Sequence, residues 1–164
     1  MAIPAKMNLT SSDGTTPQFA VGTVHEDKGT TYVYCLATAA TIKAYAACSG
    51  ASPAVVEEAT TTTATALGTG GGFACVPQFA VAASEYFWAV VETLTGLDWK
   101  GNEIKVFAEN ATGGALMYST ATDGNLDDAS GGSTIPLVGL VLTATVTTAA
   151  ATKFTTFRRL GWLK

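Results

Sequence analysis

The chain has 164 residues, 48% of them hydrophobic and only 13% charged, with a formal net charge of −4. That length suits one domain with a sizeable core, and the charged fraction is about half the roughly 25% usual in soluble domains, leaving much neutral surface open to contact. Lys153, Arg158, Arg159 and Lys164 have no acid among them from 153 to 164, so the remainder holds five basic residues against thirteen acids, a balance that excludes a broad nucleic-acid surface.

Residues 1–17 read as an extended arm, with Pro4, Pro17, a Ser-Ser-Asp-Gly turn signal and no helical period. Ile3, Met7 and Leu9 make it greasy for a free tail, so it packs across its own body or onto a neighbour. Nothing here resembles a signal peptide, and no stretch approaches the roughly 20 apolar residues of a membrane span. The sequons at Asn8 and Asn110 therefore carry little weight. The rest of the chain, 18–164, is expected to form one β domain with a basic C-terminal strand.

"FAVGTVH" (19–25), "EDKG" and "TTYVYCLAT" (30–38) read as a hairpin around a short turn with Gly29. Tyr32, Tyr34 and Leu36 share one face of the second strand, and Val33 and Cys35 share the other. Apolar residues on both faces predict a central strand. "TIKAYAAC" (41–48) fits strand or helix. "PAVVEEA" allows a helix with Pro53 in its first turn, and 59–66 reads as a strand with a threonine face. "GTGGG" (68–72) is a turn, since no Gly-Lys-Ser or Gly-Lys-Thr follows it.

"YFWAVVETL" (86–94) predicts a strand apolar on both faces. Trp88 and Val90 point one way, and Phe87, Ala89 and Val91 the other. "PQFAVAASE" before it is a loop or a single helical turn. "TGLDWKGNE" (95–103) then turns the chain and "EIKVFA" returns, a second hairpin. Trp99, near its tip, either folds back over the sheet or meets a partner. "GGALMYSTA", "IPLVGLVLTATV" and "AATKFTTFRRLGWLK" supply the last strands. Short strands between glycine-rich turns predict a mainly β fold: a single antiparallel β-sandwich or β-barrel, jelly-roll-like, with an extended N-terminal arm.

Residues able to do chemistry are scarce. The single histidine, His25, stands at a strand end beside Glu26 and Asp27 and is expected in solvent. The neighbouring carboxylates Glu57–Glu58 and Asp127–Asp128 point to opposite faces of a strand and do not converge. Cys35, Cys48 and Cys75 match no zinc spacing and sit among apolar neighbours, which predicts three reduced core thiols. In "STATDGNLDDASGGST" (119–134), Asp123, Asn125 and Asp127 fall at calcium-loop positions, but Asp128 and Thr134 replace the required Gly and Glu, so a turn is expected. The reading is of a non-enzyme, with no catalytic residues, metal or cofactor.

The order of these motifs resembles the small head decoration, or cement, proteins of tailed bacteriophages. The likeness lies in "GTVHEDKGTTYVYCL", "GGGFACVPQFAVAASEYFWAVVET", "EIKVFAENATGGALMYSTATDGNLDDAS" and "PLVGLVLTAT", across roughly residues 19–163. The chain departs from the pattern at "TLTGLDWKGNE", which is longer, and in its "RRLGWLK" ending. The resemblance implies a structural protein of the virion, made in the host cytoplasm, that binds the outside of the capsid and stabilises it. It implies the major capsid protein as partner and a homotrimer suited to capsid axes, with no nucleic acid and no membrane. Candidate contacts are Arg158 and Arg159, which can pair bidentately with carboxylates, together with Trp162, Leu163, Trp99 and Ile3. Trp162 and Leu163 serve equally well to close the bottom of a barrel. Other readings are another phage tail or fibre-base structural protein, or a carbohydrate-binding β-sandwich module.

Overall fold

The computed structural model describes residues 7–38, 40–52, 54–59, 73–129, 136–137 and 139–156. Its strands are β1 (Val24–Asp27), β2 (Thr30–Ala37), β3 (Cys48–Ser52), β4 (Val55–Glu58), β5 (Phe73–Cys75) and β6 (Tyr86–Thr93), followed by β7 (Lys105–Ala108), β8 (Tyr118–Ser119), β9 (Leu126–Asp127), β10 (Leu140–Leu142) and β11 (Ala150–Thr156). There is no helix among the described residues. The mainly β sandwich or barrel expected from the sequence is what forms. Its pairings are antiparallel except for β2–β4 and β7–β9, which are parallel.

The first sheet has six strands. β1 and β4 share one edge of β2, and β6 takes the other. From β4 the order runs through β3 to β5. The sheet curls far enough for Val76, just past β5, to exchange two backbone hydrogen bonds with Val90 of β6, at 2.9 and 3.0 Å. Inside this curl lie Val33, Cys35, Ala37, Cys48, Val56, Cys75, Phe87, Ala89 and Val91, all buried. Tyr32, Tyr34, Trp88 and Val90 point the other way, into a second core. The alternation read from β2 and β6 therefore holds on both faces.

The second sheet has five strands, ordered β10-β11-β7-β9-β8. It supplies Val106, Ala108, Leu126, Leu140, Leu142 and Phe154 to that second core. Several hydrogen bonds tie the sheets, among them Phe107 N–H to the Tyr45 carbonyl at 2.8 Å. Ala47 N–H donates to the Gly124 carbonyl at 2.8 Å, and Gly124 N–H to the Ala59 carbonyl at 2.9 Å. The Gln78 side-chain amide pairs with both backbone groups of Lys105, at 2.8 and 2.9 Å. Thr93 N–H donates to Thr156 Oγ1 at 2.8 Å.

Several expectations are corrected. Within "PAVVEEA", Val55–Glu58 form strand β4, not a helix. Ala54 has φ +66, outside helical space, and β-branched Val55 and Val56 pair with β2. Residues 41–47 form neither strand nor helix: Ile42 bridges Val81, and Tyr45 turns the chain with φ +65. "PQFAVAASE" is a loop. β6 and β7 do not form a hairpin, because both edges of β6 are already taken. Gly96, at φ +66, sends the chain across to the second sheet, where β7 pairs with β11 and β9. His25 is half-buried, its ring 6.4 Å from that of Trp88. Of the threonine strand expected at 59–66 only Ala59 is described, and it is not in a strand; the rest of it and the "GTGGG" turn lie outside the described residues.

Candidate functional site

The "TDGN" stretch is a turn. Gly124 takes φ +73, which glycine adopts without strain. The side chains around it diverge onto separate partners: Asp127 accepts from Ala129 N–H, Asp128 from Thr112 N–H, and the Asn125 amide donates to Glu109. The hydrogen bonds from Thr112 hold the half-buried Asp128 carboxyl below its usual range. No group of three metal-ligating side chains comes together among the described residues.

The three cysteines are free and buried inside the first sheet. Cys48 and Cys75 are cross-strand partners, and Cys35 Sγ lies 3.9 Å from Cys75 Sγ. Burial, reinforced by neighbouring thiols, pushes Cys48 and Cys75 well above the ordinary thiol value. A thiol held protonated and out of solvent is a poor nucleophile.

Trp99 is the one sequence-predicted contact residue within the described chain; Ile3, Arg158, Arg159, Trp162 and Leu163 lie outside it. Trp99 sits in a small loop closed by the Leu97–Glu103 bridge. Asp98 builds that loop by accepting from Lys100 N–H, Asn102 N–H and the Asn102 amide, at 2.7–2.8 Å. Lys28 Nζ, from the β1–β2 turn, donates to the Trp99 carbonyl at 2.8 Å. Trp99 is 40% exposed, with Lys100 Nζ 4.8 Å from its ring centroid.

Facing this loop are residues 7–17 of the arm, followed by Gln18, and this part of the arm crosses its own body. Asp13 N–H donates to the Tyr86 carbonyl, and Gly14 bridges Tyr86. Tyr34 Oη accepts from Gln18 N–H and donates to Asp13. Met7, Leu9 and Phe19 pack on the second core. Between arm and loop lies a groove of about 680 Å³, lined by Met7, Leu9, Asp13, Gln18, Asp98 and Trp99, with Asn8, Thr10, Lys100 and Asn102 beside them. The sequence marked Trp99 and the greasy arm separately. Their meeting is a tertiary fact, carried by the Asp13–Tyr34–Gln18 bonds.

At the end of the body where β6 finishes, the 94–103 segment begins beside the end of β11. Leu94, 63% exposed, adjoins Thr93, whose N–H is held by Thr156. Comparison with protein-family models, curated proteins and solved structures finds no match to the chain.

Proposed function

We propose that the chain is a structural virion protein that binds the outer surface of a phage capsid and stabilises it, as a homotrimer on the major capsid protein. The observation that carries this reading is the arrangement around Thr156. There the most exposed large apolar side chain of the described body, Leu94, stands beside the last described residue of β11. The sequence that follows brings Arg158, Arg159, Trp162 and Leu163. Trp and Arg are among the residue types enriched at interface hot spots. Charges are sparse elsewhere, and weak contacts repeated over a lattice multiply into firm attachment.

The test is co-sedimentation with undecorated heads of the cognate phage. The full chain pellets with the heads, whereas a chain ending at Thr156 stays in the supernatant. Leu94→Asp weakens capture by about tenfold or more, as loss of a hot-spot side chain does. Full occupancy by the truncated chain overturns the tail as anchor, and failure of the full chain to bind any head overturns the function.

A further inference from the structure

The groove between the arm and the Trp99 loop has the chemistry of a ligand site distinct from the shell contact. Its volume, about 680 Å³, falls in the range of small-ligand sites. Its polar groups are fixed before any ligand arrives. Asp98 is held by three donors from its own loop, and Asp13 by the Tyr34 hydroxyl at 2.9 Å. A carboxylate has about four acceptor positions, so both retain capacity. Gln18, Asn8 and Asn102 add amide groups, which both donate and accept. Within reach of the Asp98 charge is Tyr32, 1% exposed, whose hydroxyl has no hydrogen-bond partner among the described residues.

Charge narrows the ligand class. Asp13 and Asp98 outnumber Lys100, and Lys100 already stands over Trp99, so a polyanion is repelled. A quaternary ammonium or methylated lysine needs an aromatic cage, and among the described residues lining this groove Trp99 is the only aromatic one. A neutral molecule with one apolar face and many groups that each donate and accept fits both the indole and the amide-rich lining. A pyranose has this form: its C–H face lies on an indole, and its hydroxyls bridge carboxylates and amides. We propose that this groove binds a neutral oligosaccharide, stacked on Trp99 and hydrogen-bonded by Asp13, Gln18, Asp98 and Asn102.

The experiment titrates the full chain with cellohexaose, maltohexaose and chitohexaose, following tryptophan fluorescence and calorimetry. A heparin hexasaccharide and a lysine hexapeptide are the charged controls. At least one neutral sugar binds with a dissociation constant of about 1 mM or tighter, the equivalent of roughly 4 kcal/mol. Trp99→Ala weakens it about tenfold or more, Trp99→Phe retains part of it, and both variants keep the wild-type melting temperature. Gln18→Ala, which trims the groove and touches no named shell contact, also weakens sugar binding but leaves co-sedimentation with heads unchanged, so failure here and failure of the shell reading are told apart. No neutral sugar binding, binding indifferent to Trp99→Ala, or preference for heparin or the lysine peptide overturns the proposal.

Discussion

Tyr34 stands where the arm, β2 and β6 meet. Its ring stacks on Tyr86 with centroids 6.0 Å apart, and its hydroxyl joins Gln18 to Asp13. Burial is the main cause that raises its pKa to about 12; the Gln18 N–H lowers it, and the bond to Asp13 raises it again. Burial raises Tyr32 too, with Asp98 and Asp27 adding to the effect. Unfolded tyrosine ionises near 10 and unfolded cysteine near 8.5. In each case the folded pKa lies above the unfolded one, so the unfolded chain sheds its protons first. The stability these groups give is full below about pH 8.5 and is lost as pH rises, first through Cys48 and Cys75 and then through the tyrosines. The melting temperature should fall progressively above that pH, and the 295 nm phenolate absorbance should show a component rising only near 12. Iodoacetamide should label Cys48 and Cys75 only after denaturation. Native labelling at the rate of a free peptide thiol would contradict the closed interior.

At the scale of elements, tight approaches decide which glycines are replaceable. Gly50 lies where the β3–β4 register slips between Ser49 and Ser52. A Cβ there would fall 1.9 Å from the Val55 carbonyl oxygen, which is backbone and cannot step aside. Gly101, in the Trp99 loop, has open space but φ +87. Gly50→Ala should therefore cost about 1–3 kcal/mol or more through overpacking, and Gly101→Ala about 1–2 kcal/mol through backbone conformation alone. Urea unfolding of the two variants checks the order; equal losses would mean that β3 and β4 separate readily. The same elements show what the sequence could and could not reveal. β2 and β6 were legible because eight residues of alternation, apolar on both faces, fit only a strand between two cores. β4 was misread because Val55–Glu58 is four residues long, and so short a run has no period. β8 and β9, of two residues each, exist only by pairing. Trp99 was visible as an odd residue at a tip, but its groove was not, because the facing wall comes from about eighty residues earlier in the chain.

At the scale of the whole molecule, two cores share strands. β2 and β6 send alternate residues into the interior of the curled first sheet and into the layer between the sheets. Neither core can be opened without moving these strands. The ties from Gln78 to Lys105, Ala47 to Gly124 and Thr93 to Thr156 run between the sheets as well. A chain built this way should unfold as one unit, with equal calorimetric and van't Hoff enthalpies. Val91→Ala lies in the inner core alone and Leu126→Ala in the outer core alone. Both remove buried methyl or methylene groups. Each should lower the same single melting transition, Leu126→Ala by about 2–5 kcal/mol in stability and Val91→Ala by somewhat less. Stiffness of this kind suits a protein that reinforces a shell, because strain applied at the Thr156 end reaches both sheets through β6 and β11. Two resolved transitions in scanning calorimetry, one sensitive to each variant, would show that the sheets melt independently, and the molecule would then be a hinge and not a strut.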